Sequence, residues 1–188
     1  MLPILAFVSV VAGTIAAQGT STFHPPVARP FIDIDFFVGW PVNTTAPNGL
    51  IAVTPNAAGT ITGRFNGHIV ENTTASVERF YPADTGPGVY SEYINEILLA
   101  TEDDENVLLK MSGTAMYANG GLHGFAYARF ETVIANLSWI NYGMFVAEWV
   151  GNTNSGTGNA KVQVFEILSG GRLDGQPIAA INTTDTSA

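Results

Sequence analysis

Five side chains able to give or take a proton, or to polarise an oxygen, interrupt the longest apolar runs of this chain. Glu96 lies in YINEILLAT, Lys110 in NVLLKMSG, and Tyr127, Arg129 and Glu131 in FAYARFET. The sequence holds 7 lysines and arginines in all, so two of them inside apolar segments carry weight. In an extended backbone Tyr127, Arg129 and Glu131 share one face of their segment, and Trp139 and Asn141 share one face of the next. Turned inward, Lys110, Arg129 or Tyr127 would polarise a ligand oxygen, and the carboxyl of Glu96 or Glu131 would act as a general acid. Trp139, Tyr142, Phe145 and Trp149 crowd into one short stretch with Asn141 among them. They would supply the apolar wall of a small-molecule site. Strand alternation equally lets each charge face water, and ordinary core packing accounts equally for the aromatics.

Other chemistries find little support. There is no cysteine, which excludes disulfides, thiolate metal sites and a cysteine nucleophile. His24, His68 and His123 lack ligand spacing, so no metal is expected. No nucleophile elbow, phosphate loop or dinucleotide fingerprint is present, so no cofactor is expected. Glu102, Asp103, Asp104 and Glu105 lack the spacing and glycine of a calcium loop and read as a hairpin tip. Gly59, Gly63 and Gly67 read as bulges and tight corners of a sheet.

These residues need a scaffold, and the composition points to one. Of 188 residues 46% are apolar and 12% charged, and the net charge of −9 repels phosphate backbones and anionic membranes. Turn residues recur at short intervals, which predicts an all-β domain. Strands are expected at 31–38, 49–54, 59–70, 77–81, 88–101, 106–117, 122–132, 137–149 and 160–168. Eight or nine long strands fit one antiparallel β-barrel, lipocalin-like in shape, with a central ligand cavity. Apolar groups on both faces leave room for a covering helix, a long loop or a partner subunit, a homodimer included. The barrel is expected over 31–168, after an extended leader at 18–30 and before a tail at 169–188 whose end is expected to be disordered.

Residues 1–17, MLPILAFVSVVAGTIAA, read as a signal peptide, and no later run is long enough to span a bilayer. Asn43, Asn72, Asn136 and Asn182 head N-x-[ST] sequons. Together they predict a glycosylated protein of the secretory pathway, secreted or held in a lumen or vesicle.

The order of ARFET, SWIN, MFVAEWVG and KVQVFEI resembles a family of small bacterial and fungal β-barrel proteins long catalogued as a domain of unknown function. GTITGRFNGHIV and LLATEDDENVLLKMSG are similar to that family's glycine stretch and hairpin, so the likeness runs over 31–168. ASVERF stands where the family usually has Asp-Trp, Glu96 where it often has an arginine, and ANGGLHG replaces a helical insertion. The start, with FHPPVARPFIDIDFF, is similar to fungal hetero-Diels–Alderases of tropolonic sesquiterpene biosynthesis. That resemblance implies a tropolone quinone methide adding across a humulene-type alkene to form a dihydropyran ring, without a cofactor. A non-catalytic carrier of a small apolar molecule is the alternative, and a structural secreted glycoprotein a further one.

Overall fold

The computed structural model describes residues 22–47, 49–82, 89–118, 121–152 and 159–178. The signal-peptide reading of 1–17, the sequon at Asn182 and the end of the tail lie outside them. The described sequons Asn43, Asn72 and Asn136 are all exposed.

Ten strands follow one another: β1 (Val27–Val38), β2 (Val42–Ala46), β3 (Gly49–Gly63), β4 (Gly67–Ile69), β5 (Ala75–Pro82), β6 (Val89–Thr101), β7 (Asn106–Ala118), β8 (Gly121–Glu131), β9 (Phe145–Asn152) and β10 (Asn159–Leu168). All pairings are antiparallel. The sheet runs β1-β10-β9-β8-β7-β6-β4-β3, and β1 pairs back onto β3 from Ile32↔Gly63 to Val38↔Asn56, which closes the ring. Interrupted at Val70–Thr74, β4 and β5 together fill the place between β3 and β6. β2 extends the β1 side along the first residues of β3. The expected barrel is therefore present, with eight strand positions around its wall, a number that leaves interior space for side chains and one small ligand.

Alternation forms most of this wall. Ile32, Ile34 and Phe36 of β1, Ile97 and Leu99 of β6, Val107 and Leu109 of β7, Ala128 and Phe130 of β8, and Val162 and Val164 of β10 all point inward and are buried. The expected glycine corners lie where backbones come close. A side-chain carbon on Gly63, which has φ +132°, would sit 2.6 Å from the Phe31 carbonyl oxygen. One on Gly67 would sit 2.0 Å from that of Ala100.

Three local readings are corrected. β1 begins at Val27, inside the expected leader, because Val27 to Pro30 pair with Leu168 to Phe165 of β10. β2 was not expected; its VNTTA is short, polar and exposed. The expected strand 137–149 is a 3-10 turn, Ser138–Tyr142, followed by β9. That turn closes one end of the barrel. Ile134, Leu137 and Ile140 are buried there, and Phe31 packs against Phe130, Trp139 and Phe145 at ring separations of 5.3, 5.8 and 4.8 Å.

The barrel unit spans Pro26–Ser169, and the chain segments on either side form a second unit. In the described part of that second unit, Phe23 bridges Arg172, and the Arg172 guanidinium pairs with Asp174. Among the described residues no helix is long and apolar enough to cross a membrane.

Candidate functional site

At the end opposite the 3-10 turn the barrel holds a cavity of about 270 Å3 that opens to solvent. Phe36, Met111, Trp149, Ala160 and Val162 form its apolar side. Val38, Trp40, Leu122 and Asn152 ring the opening. Trp40, between β1 and β2, is 68% exposed there.

The polar side is built by two strands in register. Ser76 of β5 faces Asn95 of β6, Glu78 faces Tyr93, and Phe80 faces Ser91. Alternation directs Ser91, Tyr93 and Asn95 inward, and all three are buried. Toward the closed end the same face of β6 becomes Ile97 and Leu99, so the run of three polar residues on this face stands at the chamber.

Glu78 is the one carboxyl among the described residues of this wall. Ser91 Oγ donates to its Oε1 at 2.5 Å, and Tyr117 Oη donates to Oε2 at 3.3 Å. Burial pushes the Glu78 carboxyl above its ordinary pKa of 4.5, and the two hydroxyl donors offset this only in part. Burial likewise raises the Tyr117 phenol, and the charge of Glu78 and its hydrogen bond add to that. Tyr93 is raised by burial too, against the hydrogen bond from Trp149 and with the help of the Glu78 charge. Trp149 Nε1 donates to Tyr93 Oη at 2.6 Å, and the two rings meet edge to face at 5.5 Å.

Next to this polar side, where β4 and β5 are interrupted, Asn56 of β3 is fully buried. Its Nδ2 faces Thr74 Oγ1 at 2.7 Å, Asn95 Oδ1 at 2.9 Å and the Glu96 carbonyl oxygen at 2.7 Å.

This arrangement corrects the inward placement expected for the charged residues. Glu96, Lys110 and Arg129 lie in one cross-strand row on the outer face. There Lys110 Nζ pairs with Glu131 Oε1 at 3.1 Å and Glu96 Oε1 at 3.9 Å. The cation does find carboxylate partners, but on the solvent-facing side. Tyr127 is outward as well, 48% exposed. The physical reason is parity: the alternate positions carry Ile97, Leu99, Leu109 and Phe130, and turning the charges in would turn these out.

Of the five expected wall residues, Trp149 lines the chamber. Phe145 is buried, but in the aromatic cluster of the closed end. Trp139 sits in that cluster with the Arg64 guanidinium 5.8 Å over its ring. Asn141 secures the turn instead: its Oδ1 accepts from the Thr132 backbone N–H at 2.8 Å and its Nδ2 donates to the Thr132 carbonyl at 2.9 Å. Tyr142 is 91% exposed.

Sequence reasoning missed Glu78, Ser91, Tyr93, Asn95 and Tyr117. A usable signal was the inward series Ser91, Tyr93, Asn95 that precedes Ile97 and Leu99 at period two. Among the described residues no group of three or more metal-ligating side chains is placed to hold a metal ion.

No family model and no curated protein matches the sequence. Solved structures do share the fold. A conserved protein of unknown function from Rhodopseudomonas palustris is 16% identical, with a TM-score of 0.66 over 77% of this chain and 99% of its own. A β-barrel-like protein from Acinetobacter baumannii is 17% identical, with a TM-score of 0.55 over 78% and 96%. An enzyme from Penicillium herquei is 16% identical, with a TM-score of 0.50 over 78% and 98%. At such identities the likeness shows a shared fold, a small β-barrel represented in bacteria and in a fungus, with an enzyme among its members.

Proposed function

We propose that the chain is a cofactor-independent ring-forming enzyme, a hetero-Diels–Alderase that joins a tropolone quinone methide to a humulene-type alkene in the open chamber. One observation carries the reading: a half-buried carboxyl, Glu78, with a raised pKa and two hydroxyl partners, on the polar side of a largely apolar cavity. Such a group keeps its proton where a surface carboxylate has lost it, and so serves as a general acid.

The chemistry balances without an oxidant or a metal. Glu78 protonates the hydroxymethyl oxygen of the tropolone precursor, and the carbon–oxygen bond breaks to release water. The ring hydroxyl proton returns to the Glu78 carboxylate, so the net change is loss of one water. The resulting heterodiene forms a carbon–carbon bond from its exocyclic methylene and a carbon–oxygen bond from its oxygen to the two alkene carbons. The alkene π bond is consumed, and the enzyme ends as it began.

In this reading the two partners divide by size. Small-molecule pockets hold roughly 300–1,000 Å3, so a chamber of about 270 Å3 takes one ring system. The larger hydrocarbon lies across the opening, against Trp40 and Leu122. Holding the reacting carbons in contact distance is the main catalytic effect such a site exerts on a cycloaddition. A distant structural likeness to an enzyme fits this reading.

Incubating dialysed protein with the hydroxymethyl tropolone and the alkene tests it. Dihydropyran formation above the uncatalysed rate is expected. Tight binding of either compound with no change in rate would make the barrel a carrier instead.

A further inference from the structure

We infer that the chamber grips an uncharged acceptor oxygen of its ligand between Tyr93 and Asn95, and that Asn56, buried beside Asn95, decides which end of the Asn95 amide faces that ligand. This deepens the reading of the cavity as a reaction chamber and rests on it.

One backbone atom beside Asn56 has a fixed role. The Glu96 carbonyl oxygen can only accept, so the Asn56 atom 2.7 Å from it must be Nδ2. The two Nδ2 protons are shared among the Glu96 oxygen, Thr74 Oγ1 at 2.7 Å and the Asn95 atom at 2.9 Å, and because an amide nitrogen cannot accept, that Asn95 atom is an acceptor, Oδ1. Asn95 is thereby left with Nδ2, a pure donor, as the end of its amide that serves the chamber it lines. The Asn56 Oδ1 is buried without a hydrogen-bond partner. An orphaned carbonyl is costly, yet flipping the Asn56 amide would set oxygen against the Glu96 oxygen. The arrangement keeps the Asn95 donor turned to the ligand.

Tyr93 reaches the same polarity by another route. The Trp149 indole can only donate, and it donates to Tyr93 Oη at 2.6 Å. The Tyr93 hydroxyl proton must therefore point away from Trp149. Tyr93 and Asn95 are two apart on one face of β6, roughly 7 Å along the strand, so their side chains reach one ligand. No lysine, arginine or histidine is found among the described lining residues, and Glu78 is. A ligand anion would meet a carboxyl and no counterion. The favoured class is therefore a neutral carbonyl or quinonoid oxygen on an apolar body.

The test reads binding alone, with acetophenone, with α-methylstyrene (the same shape with C=CH2 for C=O) and with benzoate. Titrations follow the Trp149 indole Nε1–H resonance. Acetophenone is expected to bind about tenfold or more tighter than α-methylstyrene, and benzoate at least about tenfold weaker than acetophenone. Equal binding of the first two, or tightest binding by benzoate, would overturn the inference. Asn95→Leu should erase the acetophenone preference and keep α-methylstyrene binding; a retained preference rules Asn95 out as the donor. Asn56→Asp should erase it with Asn95 intact, because a carboxylate draws Asn95 Nδ2 backwards and turns Oδ1 to the ligand. A folded Asn56→Asp protein that keeps the preference overturns the positioning role. Should that variant not fold, the wild-type spectrum decides. Slow solvent exchange of the Asn56 side-chain amide protons, with ligand-induced shifts at Asn95 Nδ2, is expected. Rapid exchange at Asn56 would overturn its role. Cyclisation without any acetophenone preference would sink this inference and leave the proposed function standing. The preference without cyclisation would do the reverse.

Discussion

Replacing Glu78 by glutamine removes the proposed proton donor while keeping its shape. The amide oxygen can still accept from Ser91 Oγ, and the amide nitrogen can donate to Tyr117 Oη, which now lies 3.3 Å from the carboxyl. The fold should therefore persist. Loss of a positioned general acid typically lowers a rate by about 10²–10⁴-fold, and a drop of that size is expected in dehydration of the tropolone precursor. Preformed quinone methide should still react faster than in buffer, because proximity is untouched. Wild-type dehydration should fall as pH rises through the raised Glu78 pKa, and the variant should lack that limb. Stability gives an independent sign. Below 4.5, the ordinary value, folded and unfolded chains both hold the Glu78 proton. As pH climbs from there to the raised native value, the unfolded state releases it first. The unfolded state then binds fewer protons than the native one, so this group's contribution falls with pH and stays low above the native value. Glu78→Gln should gain on wild type across that window in denaturant melts at stepped pH. A variant that dehydrates substrate within twofold of wild type, with the same pH profile, would refute the role of Glu78.

Tyr93→Phe leaves the Trp149 indole N–H without its acceptor and should cost about 1–3 kcal/mol in denaturant unfolding; an unchanged midpoint would mean that the bond contributes nothing. Trp40→Ala, at a side chain 68% exposed, should change stability by less than about 0.5 kcal/mol. It should raise KM for the alkene and leave binding of the tropolone partner alone; equal effects on both would place the hydrocarbon elsewhere. Lys110→Ala and Arg129→Ala remove outer-face charges and should cost at most about 1 kcal/mol each. Steady-state rates should stay within twofold of wild type, and a large loss of rate with the fold intact would return these residues to the chemistry.

The barrel was legible because its strands are long and their turns are marked. Glu102–Asn106 reads as a hairpin from its charges, and β6 and β7 do pair across it from Ala100↔Asn106 onward. Which face turned inward was harder to read. In β6 both rows carry apolar groups, Ile94 and Leu98 in one and Ile97 and Leu99 in the other. The pairing of Glu96 with Lys110 across the strands marks the wet face, since opposite charges directly opposed are at home there. Glu78 and Arg79 are neighbours in ASVERF, so one faces in and one out, and the segment alone does not say which. Long-range register, Glu78 against Tyr93, settles it. SWINY looks like strand by composition, yet Asn141 bonds the backbone of Thr132 and bends the chain into a stopper. That contact spans nine residues and has no local signature.

The most direct measurement is the stereochemistry of the dihydropyran, by chiral chromatography, for wild type and for Ala160→Phe, which fills the chamber from β10. If ring closure takes place in this cavity, wild type yields one dominant stereoisomer, and the folded variant yields the mixture formed in buffer. A folded Ala160→Phe protein that keeps both the rate and the stereochemical excess of wild type would contradict that claim.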